Sequence, residues 1–115
     1  MLKKQNRLQL RTQSHFFAQA KRFSTVYWTL WYVPHPSGFQ ATVIVPKKAV
    51  AQATYRNAVK RKILAAIQTQ SYLPAFSIAI SVRKPVTQLS FLELQQQIAD
   101  NFTKINSRKA HPNSQ

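Results

Sequence analysis

Glu93 and Asp100 are the only side-chain carboxylates in this sequence that could take part in acid–base or metal chemistry. A helix would place them on one face, but about 10 Å apart along its axis. Two-metal hydrolysis holds its ions about 4 Å apart and needs several carboxylates. His15, His35 and His111 lie in separate segments without the spacing of metal ligands. We therefore expect no catalytic residue and no metal site, and a histidine pair assembled by folding is the one catalytic arrangement left open.

Cationic residues, by contrast, are concentrated in a segment whose pattern suits a polyanion. Residues 55–64 read YRNAVKRKIL, and Lys47 and Lys48 precede them. Four of the first eight residues are cationic, and neither carboxylate is near enough in sequence to neutralise them. An apolar stripe recurs at helical spacing: Val59, Ile63, Ala66 and Ile67. An amphipathic helix that carries positive charge without internal partners is typical of nucleic-acid binding.

The basic surface of this helix forms a broad arc rather than a narrow face. Its candidate RNA-binding residues are Arg56, Asn57, Lys60, Arg61 and Lys62. In an ordinary protein such a row would be a solvated helix face, but acids would then be interleaved with it. Asn57 could instead form a local hydrogen bond near the start of the helix. The absence of acids favours RNA as the partner of the cations.

Composition gives the same class of partner. The chain has 115 residues, which is the length of a single domain. It has 17 Lys and Arg against 2 acidic residues, which gives a net charge of +15. Nucleic acid is the expected partner, with an anionic membrane surface second. Without cysteine there are no disulfides or thiolate metal sites. The longest apolar run, residues 25–33, is too short to span a bilayer, and no apolar core follows the basic start. We expect a cytoplasmic protein.

Local signals predict a small α+β domain. We expect a helix over residues 12–22, a strand over 24–33 and a turn at 34–38, followed by a returning strand over 39–45 that forms a hairpin. A helix over 53–70 and a strand over 76–82 follow. Ser90 and Glu93 have capping-box spacing and open a last helix. The predicted domain, residues 1–106, is one sheet with an N-terminal helix, a basic crossover helix and a C-terminal helix, and residues 107–115 are a flexible polar tail.

The order of these motifs resembles that of the protein subunit of bacterial ribonuclease P, from Lys3 to about Ile105. That family has a strand ending in a Lys pair, as at Lys47-Lys48, and then a helix with an Arg-Asn-x-x-Lys-Arg signature, as at residues 56–61. A strand ending in a basic pair and Pro follows, as at residues 83–85. The sequence departs from the family where an arginine is usual, with Ala58 and Leu64 in those places.

The resemblance implies a specific role in an α-β-β-α-β-α fold. The catalytic component would be an RNA that uses Mg²⁺ to remove the 5′ leader of precursor tRNA, and the protein would hold no tight cofactor of its own. The Arg-Asn helix would contact the catalytic RNA. The single-stranded leader would lie in a cleft with aromatic platforms for its bases and lysines for its phosphates. The candidates are Phe16, Phe17, Trp28, Tyr32, Lys47 and Lys48. From residue type alone, each aromatic is better explained as part of the core, because so small a domain needs aromatics there.

Three other partner classes stay open. A ribosome-associated protein would have the same basic composition and would bind ribosomal RNA. A DNA-binding module would place the Arg56 helix in a major groove, although strands flank that helix on both sides. A membrane-surface role would require an exposed apolar stripe. We favour the protein subunit of the RNA-based enzyme. We expect no membrane partner, and no obligate protein partner is evident.

Overall fold

The computed structural model describes residues 6–10 and 15–110, with side chains as far as residue 107 at the C-terminal end. The elements, in chain order, are α1 (Phe16–Gln19), β1 (Lys21–Ser24), β2 (Trp28–Pro34), β3 (Gln40–Ile44), α2 (Ala53–Gln68), β4 (Phe76–Val82), a 3-10 turn (Lys84–Gln88) and α3 (Phe91–Ala110). The α+β class is confirmed. A strand before the predicted first one and the 3-10 turn are additions to the expected order.

The predicted first helix is wrong in its second half. Helix α1 is a single turn, and Lys21 and Arg22 belong to β1. Residues 12–14 of the prediction lie outside the described part of the chain. The predicted strand over 24–33 is interrupted at Thr25, whose hydroxyl accepts hydrogen bonds from the backbone N–H groups of Tyr27 (3.1 Å) and Trp28 (3.2 Å). This turn folds β1 back against β2 as an antiparallel pair.

The predicted hairpin is also wrong, because β4 lies between its two strands. The sheet order is β1-β2-β4-β3, with β2 antiparallel and β3 parallel to β4. Strand β4 is buried at all but one of its seven positions, so it takes a central place in the sheet. Helix α2 provides the crossover that joins the parallel pair β3 and β4. The backbone N–H of His35 donates to the carbonyl oxygen of Ala75 at 2.9 Å and so ties the β2–β3 connection to the start of β4.

Helices α2 and α3 cover one face of the sheet. Ile63 and Ile67 of α2 and Leu94 and Ile98 of α3 are buried there, as the apolar stripes predicted. The capping box at the start of α3 is confirmed: the N–H of Ser90 donates to Glu93 Oε1 (2.8 Å), and the N–H of Glu93 donates to Ser90 Oγ (3.1 Å). Helix α3 continues to residue 110, past the predicted domain boundary at 106, while residues 111–115 lie outside the described part.

The other face of the sheet, called here the open face, is covered only in part. Leu8 and Phe16 pack there on Ala79 of β4, with Trp31 and Val33 beside them. The N-terminal segment reaches this position along the outer edge of β3. The N–H of Leu8 donates to the carbonyl oxygen of Ala41 at 2.9 Å, and Arg7 forms a parallel bridge with the same residue.

Candidate nucleic-acid interface

Strand alternation decides which aromatic side chains of β2 can meet a ligand. Thr29, Trp31 and Val33 point to the open face, and Trp28 and Tyr32 point to the helices. Trp28 is 0% exposed, and its indole N–H donates to Asn101 Oδ1 at 2.8 Å. Tyr32 is 4% exposed. The prediction that Trp28 and Tyr32 stack leader bases is therefore corrected, because neither ring has a surface to offer.

An aromatic pair does lie on the open face, formed by Phe17 and Trp31. Their ring centroids are 5.1 Å apart in an edge-to-face arrangement. Phe17 is 43% exposed and remains a candidate platform. Phe16 supports it from below, with a centroid distance of 5.1 Å, but is itself buried. Trp31 was not named as a candidate from the sequence. Strand alternation could have identified it, because Trp31 lies on the same side of β2 as the polar side chain of Thr29.

The two basic pairs that follow β3 and β4 lie at one edge of the sheet. Because β3 and β4 are parallel, their carboxyl ends meet at the same side. Lys47 and Lys48 follow β3, Arg83 and Lys84 follow β4, and all four side chains are exposed. This group, called here the cationic edge, is next to the open face because Arg83 reaches back to Thr29, where its Nη2 donates to Oγ1 at 3.0 Å.

The basic residues of α2 divide into two groups. Arg56 is half-buried, and its Nη1 donates to the carbonyl oxygens of Val50 (3.2 Å) and Ala51 (2.7 Å). Lys62 Nζ donates to the carbonyl oxygen of Leu89 at 2.9 Å, which links α2 to the segment before α3. Both side chains thus make contacts that stabilise the fold. The exposed side chains of Asn57, Lys60 and Arg61 form the outward part of the arc.

A groove of about 300 Å³ adjoins this arc at the outer edge of β3. Lys60 and Leu64 of α2 line one side, and Arg7, Leu8 and Gln9 line the other. Leu64 is apolar and is 7% exposed. The groove therefore receives its positive charge from Lys60 and from Arg7, which comes from the N-terminal segment.

Histidine and acidic side chains are spread over the described part of the chain. No cluster of three or more His, Cys, Asp or Glu side chains occurs within residues 6–10 and 15–107. His35 is engaged in its own turn, with Nδ1 2.6 Å from the carbonyl oxygen of Gly38. Hydrogen bonds from Ser90 lower the pKa of Glu93 below its ordinary value of 4.5. Among the described helices, none is long and apolar enough to cross a membrane.

Several solved structures share this fold. The RNase P protein of Staphylococcus aureus matches with a TM-score of 0.71 and 19% identity, over 88% of this chain and 94% of that one. The RNase P protein of Thermotoga maritima matches with a TM-score of 0.73 and 19% identity, over 85% of this chain and 96% of that one. A search of curated protein sequences gave no match.

The family comparison covers almost the whole sequence. The family model for Ribonuclease P matches residues 2–106, which include the sheet, α1, α2 and all but the last four residues of α3. The chain therefore belongs to the Ribonuclease P protein family, whose members are components of an endoribonuclease of tRNA processing and have RNA as their partner.

Proposed function

We propose that this chain is the non-catalytic protein subunit of ribonuclease P and that it binds two RNA ligands on two surfaces. The observation that carries the proposal is the open face, where an aromatic pair of exposed Phe17 and half-buried Trp31 adjoins the cationic edge. Phe17 and Trp31 offer π surface with their rings 5.1 Å apart, and Lys47, Lys48 and Arg83 offer positive charge. This combination suits a single strand, because stacking accepts any base and cations follow the backbone.

The first ligand would be the 5′ leader of precursor tRNA on the open face. A leader nucleotide would stack against the Phe17–Trp31 pair, and its phosphates would run toward the cationic edge. Phe16 would act as support beneath Phe17 rather than as a platform, since it is 5% exposed. This contact adds affinity only for substrates that carry a leader, so the protein would help the enzyme to distinguish precursor from product.

The second ligand would be the catalytic RNA on the outward arc of α2. Asn57, Lys60 and Arg61 are exposed there. Arg56 and Lys62 would contribute charge and hold the neighbouring backbone in place through their carbonyl contacts. Lys60 and Arg7 at the groove beside β3 would extend this surface past Leu64.

Mg²⁺ would belong to the RNA rather than to the protein. Mg²⁺ prefers carboxylate and carbonyl oxygens or phosphates, and the sequence has only Glu93 and Asp100 as acidic side chains. Glu93 is already engaged by Ser90 in the capping box. The cationic surfaces would lower the repulsion between RNA phosphates, so that less Mg²⁺ is needed for folding and binding.

The test is cleavage of precursor tRNA by a bacterial ribonuclease P RNA at low Mg²⁺, with and without this protein. Substrates with a long leader and with a one-nucleotide leader are compared side by side. We expect stimulation mainly of the long-leader substrate. A folded protein that stimulates neither substrate at any Mg²⁺ concentration would contradict the proposal, and tight binding to ribosomal RNA in the same series would then favour a ribosome-associated role.

A further inference from the structure

The groove at the outer edge of β3 is enclosed by three separate parts of the chain. Its volume is about 300 Å³, and its lining comes from the N-terminal segment, from β3 and from α2. A cavity of this size is at the lower end of those that hold small ligands. It therefore has room for one flat group such as a nucleobase, but not for a nucleic-acid duplex.

The walls of the groove are apolar and are fixed by packing. Leu8, Val43 and Leu64 line the groove, and all three are buried members of the hydrophobic clusters of the domain. The cavity is thus formed before a ligand arrives, so little conformational entropy is lost on binding. A planar group that enters it exchanges water for apolar contacts, which is favourable.

The edge of β3 offers hydrogen-bonding groups within this apolar surface. The N–H of Leu8 donates to the carbonyl oxygen of Ala41 at 2.9 Å, so the backbone of Ala41 points outward from the sheet. Strand alternation directs the N–H and the carbonyl of Val43 to the same side. The bridge between Arg7 and Ala41 is isolated, and strand pairing does not continue along residues 8–10. Val43 therefore presents a donor and an acceptor side by side, the pattern that pairs with the edge of a base.

The rim of the groove is cationic and adjoins the arc proposed for the catalytic RNA. Lys60 is exposed, lines the groove and precedes Arg61 of that arc. Arg7 lines the other side. Both acidic side chains of the sequence belong to α3, and neither lines the groove. The groove thus suits a planar polar group with a negative charge attached, which is the chemistry of a nucleotide. An added peptide strand would use the edge of β3 but not the cationic rim.

We propose that the groove binds one unpaired nucleotide of the catalytic RNA. Its base would lie against Leu8 and Leu64, with its polar edge on the backbone of Val43 and its phosphate at Lys60. This inference rests on the proposed function, because the RNA is the one assigned to the arc of α2. It goes beyond that function in predicting that a single base, and not only backbone charge, determines part of the affinity.

The test removes single bases from a bacterial ribonuclease P RNA, keeps the phosphate backbone, and measures how tightly each abasic RNA binds this protein. With the unaltered protein we expect one unpaired position at which loss of the base weakens binding roughly tenfold, the scale of one two-point contact to a base edge. Gln9 is exposed and lines the groove, so Gln9→Trp places an indole at its mouth. This variant should bind the intact RNA more weakly by a similar factor, lose the sensitivity to that base and keep the same salt dependence.

Arg61→Met is the matched control, because it removes one charge from the arc without altering the lining of the groove. It should weaken binding and reduce the log–log salt slope by about 1, while the sensitive base stays in place. Lys60→Met removes one charge from the rim instead, so it should reduce both the salt slope and the effect of losing the base. Thermal melts of each variant show whether the fold is intact.

Three results would overturn the inference, and they differ in what else they affect. If the protein binds the RNA but no single base matters, or if the sensitive base persists in Gln9→Trp, the groove assignment fails and the proposed function stands. A titration with the four nucleoside monophosphates tests a free nucleotide as the source of the same chemistry. Tight binding of one of them that leaves the affinity for the RNA unchanged would make a free nucleotide the ligand. If the unaltered protein does not bind the catalytic RNA, the proposed function and the groove assignment fail together.

Discussion

At the scale of single residues, the two tryptophans of β2 have opposite roles. Trp28 is enclosed by the helices, and its indole N–H satisfies Asn101, which is 6% exposed. Trp31 is half-buried on the open face against Phe17. The same residue type thus belongs to the core at one position and to the proposed ligand surface at another, because the two side chains lie on opposite faces of one strand.

Trp28→Phe should destabilise the fold without changing RNA preference. The substitution removes the indole N–H and leaves the buried Asn101 side chain without this partner, which costs about 1–3 kcal/mol. Urea unfolding gives the change in the free energy of unfolding. The ratio of affinities for long-leader and one-nucleotide-leader substrates should stay the same as for the unaltered protein, and a fall in that ratio would place Trp28 in the ligand surface after all.

Arg56→Ala and Arg61→Ala should separate the two groups of basic residues on α2. Arg56 holds the carbonyl oxygens of Val50 and Ala51, so its loss should cost about 1–2 kcal/mol of stability and also weaken binding to the catalytic RNA. Arg61 is exposed, so its loss should change stability by less than about 0.5 kcal/mol and still weaken RNA binding. Equal thermal stability of the two variants would contradict the structural role of Arg56.

At the scale of elements, local signals were sufficient for α2, β4 and the start of α3. The apolar stripe of α2 and the capping box at Ser90 depend on residues close in sequence, and both are confirmed. The break at Thr25 and the insertion of β4 between β2 and β3 were not predicted. The break depends on a side-chain hydroxyl that caps a turn. The insertion depends on pairing between distant segments, and local patterns do not report such pairing.

The candidate site was predicted in part for the same reason. The basic arc of α2 needed only helical periodicity, so its exposed members Asn57, Lys60 and Arg61 were identified. To predict the residues of the open face, one must know which side of β2 packs against the core. The prediction placed Trp28 and Tyr32 on the open side, whereas both belong to the core side. The apolar side chains of β2 and β4 share the helix-covered face once the strands are paired, and this leaves Trp31 on the other.

The capping box of α3 should make the stability of the fold depend on pH in the acidic range. Hydrogen bonds from Ser90 lower the pKa of Glu93 in the folded state. The ionised carboxylate is therefore more stable in the folded protein than in the unfolded chain. This stabilisation is present above the ordinary pKa of 4.5 and is lost as pH falls through the lowered folded value. Glu93→Gln should therefore be less stable than the unaltered protein near neutral pH, with a smaller difference below about pH 4. Urea unfolding across this range measures it, and a difference that does not change with pH would contradict the assignment.

At the scale of the whole molecule, the net charge of +15 is the property that should most affect stability and binding. With two acidic side chains in the sequence, cations on α2 and at the cationic edge have few partners of opposite sign. Self-repulsion should destabilise the free protein, and bound polyanions should stabilise it. The two proposed surfaces are on different sides of one small domain, which is the arrangement expected of a protein that contacts the catalytic RNA and the leader in one complex.

Binding to single-stranded RNA should weaken steeply with salt. If about six cations contact phosphates, a log–log plot of affinity against salt concentration should have a slope of roughly −4. Fluorescence anisotropy of a labelled oligonucleotide across a salt series gives this slope. A slope near zero would rule out the electrostatic account of both surfaces.

The most direct test of the account is the leader preference of the reconstituted complex with Trp31→Ala. The preference is the ratio of affinities for precursor tRNA with a long leader and with a one-nucleotide leader. We expect the ratio to fall by the factor that corresponds to the loss of one base–aromatic stack, which is roughly 1–3 kcal/mol of binding free energy. The ratio should recover in Trp31→Phe, and both variants should still bind the catalytic RNA. A ratio equal to that of the unaltered protein, in a variant that melts as a folded domain, would contradict the claim that the open face binds the leader.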